Sequence, residues 1–469
     1  MKQIKNKNSI LPLMMALSVL IFFSIGCKKD ELDHSYPAEI TPSNSSDING
    51  LLINAITLKP ISRGLVILSD ETGTIVLGEK RADPNGKFFF SDVPDGVYSL
   101  KVQQNGYQTM IANGISVGEF NPLGNFVGLC PVESTIIKPI AAVSGIVLGQ
   151  NSLPVGSATV AISADPENLT NGYFTSVLTD GNGQFYIPAI PLTSVDNSTI
   201  TAFKIRVMKD TYDPVYETEV FLAKNQLKIT NFTLEHSSGN EKIIFEEKFD
   251  SLTPWIYTGF WHRHENVSVV NKAFPQYVKL APNDNSGGSA PDACSGKYSA
   301  WYGEESTGNY MGVPASGQAG LSGGTSATAN AGLLISPPIL VSSTTGYATL
   351  SFWTWFEIES NNPGSNGHDL MDILIVDAND TTQQALVGRL NPYIDPILDN
   401  RDAIPFTSGG FNQRPLWKYQ AFDLTGFVGK TIRLGFRFET VDIYSNGFRG
   451  WFLDDIKVTG NSMGTLFHR

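Results

Sequence analysis

From about residue 30 onward the chain reads as all-β. Turn-forming Gly, Ser, Thr, Asn and Asp recur at short intervals, and no long stretch places apolar residues at the spacing one helix face requires. A third observation divides the chain. All seven tryptophans, at 255, 261, 301, 353, 355, 417 and 451, fall between residues 243 and 460, so a large aromatic-rich segment closes the sequence. With 469 residues there is room for about two to four domains.

Ahead of this body, Lys2, Lys5 and Lys7 precede an apolar run over residues 10–23 that ends in Ser24-Ile25-Gly26-Cys27. This is the anatomy of a signal peptide. The run is shorter than the roughly 20 apolar residues a spanning helix takes and lacks a polar stop-transfer flank; an uncleaved anchor is the competing reading. Ser24-Ile25-Gly26-Cys27 resembles the bacterial lipobox, with Ser24 in place of the usual Leu. Lys28-Lys29-Asp30-Glu31 resembles the lysine-plus-acidic export signal of Bacteroidetes surface lipoproteins. Together these resemblances imply loss of residues 1–26, a lipid on Cys27, and a body lipid-anchored at the outer membrane and exposed at the cell surface. Each buried acyl CH₂ contributes about 0.8 kcal/mol, so several chains hold such a body without a spanning segment. Within the lipidated stalk, residues 27–46, the part from 33 onward is polar and carries Pro37 and Pro42, which predicts a flexible tether.

The whole chain carries a net charge of −12, and loss of the leader removes three lysines and no acids. So acidic a body argues against nucleic acid as a partner and suits divalent cations better. With Cys27 assigned to lipid, Cys130 and Cys294 remain. They fall in different segments and match no zinc spacing, so both are read as structural thiols, with a disulfide as the alternative.

Residues 47–130 and 140–235 follow one plan. In the first, Ile48-Asn49-Gly50-Leu51-Leu52 begins a strand, residues 60–67 supply another, and Asp83-Pro84-Asn85-Gly86-Lys87-Phe88 forms a turn. In the second, Val143-Ser144-Gly145-Ile146-Val147, residues 154–162 and Asp180-Gly181-Asn182-Gly183-Gln184-Phe185 take the same places. The Asn-Gly steps serve hairpins, because Asn and Gly tolerate positive φ at little cost. Both segments resemble the carboxypeptidase regulatory-like family, most closely at Gly96-Val97-Tyr98-Ser99-Leu100-Lys101-Val102 and Gly106-Tyr107. The resemblance implies two tandem seven-stranded, transthyretin-like β-sandwiches acting as spacers or accessory modules. The second copy departs from the pattern through extra residues at 190–200.

A short polar joint, residues 236–242, leads to the last domain, 243–460. Phe245-Glu246-Glu247-Lys248-Phe249-Asp250 opens it and Gly450-Trp451-Phe452-Leu453-Asp454-Asp455-Ile456-Lys457-Val458 closes it. With Ser299-Ala300-Trp301-Tyr302-Gly303-Glu304-Glu305, Leu334-Ile335-Ser336-Pro337-Pro338-Ile339 and Leu350-Ser351-Phe352-Trp353-Thr354-Trp355, this set resembles the MAM-like, concanavalin-like jelly rolls of secreted bacterial proteins. A larger jelly-roll β-sandwich is thus expected. In such folds first and last strands lie close together, which implies a structural Ca²⁺ held by Glu247 or Asp250 and Asp454, with Glu304 or Glu305 as a weaker addition. Calcium takes six to eight oxygens, so acids from separate strands suit it; the alternative is that these acids face solvent or cap turns.

Strand alternation puts Leu350, Phe352, Thr354, Phe356 and Ile358 on one face and Ser351, Trp353, Trp355, Glu357 and Glu359 on the other. In Thr431–Glu439, Arg433 and Arg437 alternate with apolar residues. If the two strands are neighbours, Trp353 and Trp355 form a platform edged by Glu357, Arg433 and Arg437, suited to sugar rings or flat peptide groups. The favoured alternative is a lid over the tryptophans, from 361–368 or 391–410. His262 and His264 share a strand face, but without a third ligand in view they read as solvent-facing polar residues ahead of a metal site.

No His-Glu-x-x-His or P-loop motif occurs. The expected function is a non-catalytic surface lipoprotein whose sandwiches present a jelly roll for binding or adhesion to glycan or protein. A structural subunit of an outer-membrane complex is the alternative. A glycoside hydrolase, resting on Glu357 and Glu359, is remote because the acid spacing of jelly-roll glucanases is missing.

Overall fold

The computed structural model describes residues 45–55, 59–118, 126–131, 134, 140–164, 174–192, 201–237, 241–265, 288–316, 324–359, 369–390, 405–411 and 413–462. Cys27, the leader, the stalk as far as residue 44, and the candidate lid segments 361–368 and 391–404 lie outside them. Among the described residues the protein is all-β, with a short 3-10 turn at Thr425–Phe427.

The repeat seen in sequence is a repeat of topology. The first copy has seven strands. One sheet orders Lys87–Pro94, Ser45–Leu52 and Phe126–Leu129; the other side orders Val76–Arg81, Leu65–Asp70, Gly96–Gln103 and Met110–Val117. In the second copy Gln184–Pro191 pairs with Ile140–Gly149, while Phe174–Leu178, Thr159–Ala164, Thr201–Met208 and Val215–Leu222 form the facing sheet. Each copy encloses its own apolar core, around Leu52, Val66, Leu100 and Val102 in the first and Val143, Val160, Phe185 and Ile205 in the second.

The turns match atom for atom. Asp83 Oδ1 accepts the amides of Asn85 and Lys87, and Asp180 Oδ1 those of Asn182 and Gln184, all at 2.8–2.9 Å. Gly86 and Gly183 close these turns at φ of 76° and 71°, and a Cβ there would lie 2.4 Å from Leu52 O and 2.3 Å from Val147 O. Close approach and positive φ both call for glycine.

The two copies are fused. Gln226–Ile229, near the end of the second, pairs in parallel with Ile140–Gly149 of its own copy and with Met110–Val117 of the first. Leu227 partners both Ala112 and Ala142, so one continuous sheet runs through both modules.

The C-terminal part is a sandwich of an eight-stranded and a six-stranded sheet. Thr345–Glu359 and Gly450–Ser462 pair along the centre of the first, and Lys242–Glu247 pairs with Gly450–Ser462, so the domain's first and last strands are neighbours. In the six-stranded sheet, Thr431–Glu439 lies between Ala331–Ile335 and Leu370–Asp377. Leu350, Phe352, Phe356 and Ile358 face Leu434, Phe436 and Phe438 across the core. The alternation read from sequence is the one observed. A bulge at Asp454 to Ile456, with Asp455 at φ 47°, lets Leu453 and Ile456 both reach the core although they stand three positions apart.

This sandwich is docked on the second module. Thr159 Oγ1 donates to Tyr419 O at 2.8 Å, Arg206 Nη1 to Ala421 O at 2.7 Å, and Lys418 Nζ to Ser176 O and Oγ at 3.0 and 3.2 Å. Ala161, Met208 and Ala421 pack between them, and the Arg206 guanidinium lies 4.1 Å over the Phe422 ring.

Candidate functional site

The tryptophan platform does not assemble as expected. Thr345–Glu359 and Thr431–Glu439 lie in opposite sheets of the sandwich, so their outward faces point in opposite directions. Arg433 donates to Ser336 O at 3.0 Å. Arg437 joins Arg389 on the buried carboxylate of Asp372, at 2.5 and 2.6 Å. These arginines neutralise and brace their own sheet.

Glu357 is no rim residue either. It is fully buried and held by Arg449, whose Nε and Nη2 reach its two carboxylate oxygens at 2.7 and 2.8 Å. Trp355 is 5% exposed, between the Arg449 guanidinium at 4.9 Å and Phe452 at 5.3 Å, with Ala290 and Trp417 against the same cluster. Trp353 is half-buried, edge-on to Tyr419 at 5.7 Å, beside the contact with the second module. The cover over Trp355 thus includes Ala290 and Trp417. A period-two pattern tells which face a residue takes and says nothing about what lies on that face.

The acids proposed for calcium divide. Glu247 is buried and accepts Phe249 N, the Thr253 hydroxyl and Trp255 Nε1, which occupies it in holding the domain's first turn. Asp250 and Asp454 do converge, on the loop formed by Cys294 to Lys297. Asp250 Oδ1 accepts Lys297 N at 2.8 Å, Asp454 Oδ2 accepts Ser295 N at 3.0 Å, and Asp455 Oδ1 takes the Ser295 hydroxyl at 2.8 Å. Burial pushes the Asp454 carboxyl up to about 7, and burial with the charges of Asp454 and Asp455 pushes the Cys294 thiol up to about 12. Cys130 and Cys294 are both free thiols.

Glu305 belongs elsewhere, against His262 and His264, and His264 is buried where solvent exposure was expected. Its imidazole lies under Trp301 and Phe452, at centroid distances of 5.0 and 5.8 Å. A separate cleft of about 900 Å³ opens where the fused modules meet, with Lys80, Arg81 and Lys87 on one side and Asp180, Gln184 and Tyr186 on the other. Arg449, Asp372 and this cleft had no sequence signal beyond residue type, because their partners lie far off in the chain.

No protein-family model and no curated protein matches the sequence. Among solved structures, a cleaved adhesin domain of Lys-gingipain from Porphyromonas gingivalis is similar at 13% identity and a TM-score of 0.24, over 46% of this chain and 98% of that one. A second cleaved adhesin domain of Lys-gingipain gives 14% and 0.22, over 46% and 96%. The minor pilin of Streptococcus agalactiae gives 10% and 0.17, over 41% and 97%. Likeness this distant does not say what the chain does.

Proposed function

We propose that the protein is a non-catalytic surface lipoprotein in which two fused β-sandwiches carry a C-terminal jelly roll for binding or adhesion to a glycan or protein ligand. The continuity of the body carries this reading. The shared strand Gln226–Ile229 joins the first two modules, and the contacts of Thr159, Arg206 and Lys418 fix the third, as a presenting carrier requires. Cys27 supplies the lipid anchor. The acid pair that hydrolysis would use is compromised, since Glu357 is locked to Arg449 inside the sheet.

The test uses the lipidated chain in its native cells and the leaderless chain in solution. Radiolabelled palmitate should enter the wild type and not Cys27→Ser, and added protease should shave the wild type from intact cells. The soluble chain should bind members of a glycan or surface-protein array. Label in Cys27→Ser equal to wild type would end the anchoring claim, and a folded chain that binds nothing on either array would end the adhesion claim.

A second reading, an assembly subunit, is favoured by one feature. Ile75, Val76 and Leu77 are 60, 56 and 54% exposed, and Val76–Arg81 is the outermost strand of its sheet. The apolar start of this edge strand offers unpaired backbone groups to an added strand.

Calcium is the proposed structural cation, held by Asp250 and Asp454 at the loop joining the domain's two ends, with Asp455 beside them and Glu247 outside the ligand set. Adding Ca²⁺ to chelator-treated protein should raise Tm in the wild type and leave Asp454→Asn unmoved. Equal responses would remove the proposal.

A further inference from the structure

We propose that His262, His264 and Glu305 form a binding site for a divalent transition metal of the zinc class, apart from the acids assigned to calcium. Three observations converge on it: ligand spacing, tautomer, and a rigid wall.

His262 and His264 stand two residues apart on the strand Trp261–Glu265, so both imidazoles leave the same face. That strand pairs with Tyr298–Tyr302, and the turn that follows, closed by Gly308 N to Glu304 O at 2.8 Å, returns Glu305 over the two rings. Glu305 Oε1 sits 3.2 Å from His262 Nε2 and 2.6 Å from His264 Nδ1, and the three ligand atoms lie within 4.8 Å of one another. Around zinc, with metal–ligand bonds near 2.0–2.2 Å, tetrahedral donors stand roughly 3.3 Å apart. The Glu305 side chain is 51% exposed, so it can withdraw enough for an ion to take the central place its oxygen now fills.

The tautomer of His262 points the same way. Its Nδ1 lies 3.0 Å from Phe260 O, and a carbonyl can only accept, so Nδ1 carries the hydrogen. That leaves Nε2 as the nitrogen facing the Glu305 carboxylate, and in the neutral ring its lone pair is available to a metal ion. A ligand histidine characteristically donates its other ring N–H to a backbone carbonyl in this manner.

The rings are also held in place. Trp301 packs at 5.2 Å from His262 and 5.0 Å from His264, is itself stacked on Phe452 at 5.1 Å, and is pinned by Nε1 to Arg449 O at 2.7 Å. Two imidazole nitrogens and one carboxylate suit zinc and its neighbours and not calcium, which takes oxygen donors. Three protein ligands, with His262 and Glu305 partly exposed, leave a further position for water or an outside donor.

The experiment titrates chelator-stripped full chain with Zn²⁺ against a chromophoric competitor, alongside His262→Gln and Glu305→Gln, whose side chains are partly exposed. Mutation of outer-sphere residues alone typically weakens metal affinity about 10- to 100-fold, so loss of a ligand should cost at least roughly tenfold. Folding of each variant is checked by near-ultraviolet circular dichroism. Excess Ca²⁺ should not displace the zinc, which separates this site from the acidic loop. X-ray absorption on the zinc-loaded wild type, independent of any variant, should show two imidazoles. Absence of imidazole scattering, affinities equal in wild type and both variants, or no zinc bound by the wild type would each overturn the proposal.

Discussion

Lys418 shows how burial turns a surface residue type into part of an interface. Its ammonium is buried against Ser176 of the second module, and desolvation pushes it down to about 7 from an ordinary 10.5. Between those values the unfolded chain holds a proton that the folded chain has released, so stability rises with pH across that window. Below about 7 both states are charged and the full penalty remains. Wild type should therefore gain on Lys418→Met by up to roughly 1.4 kcal/mol per pH unit between pH 7 and 10, read as urea midpoints. A difference that stays flat with pH would show that water reaches the amine. Single residues were the least legible level in the sequence. The outward face of Trp353, Trp355 and Glu357 followed from alternation, yet Glu357 serves Arg449, 92 positions away, and no local pattern carries that pairing.

Strands and turns were the most legible level, because their determinants are local. The Asp-x-Asn-Gly turns at Asp83 and Asp180 were placed correctly, and each closes by hydrogen bonds within five residues. Gly183→Ala should cost about 1–3 kcal/mol, since the new Cβ meets Val147 O and the backbone is left-handed there. Gly181→Ala, with nothing within 4 Å and no positive φ, should stay within about 0.5 kcal/mol of wild type. Urea unfolding of the two variants gives the comparison directly, and equal losses would mean the turn does not impose the strain. His264 was misread at this level for a related reason: a polar residue two positions from His262 looks solvent-facing until Trp301 and Phe452 are seen to cover it.

At the scale of the whole molecule, the modules are coupled, a point that the sequence reading of two tandem spacers and a terminal domain left open. Leu227 is fully buried and pairs with a strand of each of the first two modules. Leu227→Asp should accordingly raise hydrogen exchange in both Met110–Val117 and Ile140–Gly149 of the full chain, whereas independent modules would show the change in the second alone. The amino-acid sequence by itself determined the all-β class, the doubled plan with its turn register, and the inward face of Thr345–Glu359. These follow from period-two patterning and turn chemistry, which act over a few neighbouring residues. Only tertiary structure decided that Arg433 and Arg437 stand across the sandwich from Trp353 and Trp355, that Gln226–Ile229 bridges two modules, and that Glu305 returns to two histidines. Those contacts join residues tens to hundreds of positions apart, and their pairing is set by the packing of whole sheets.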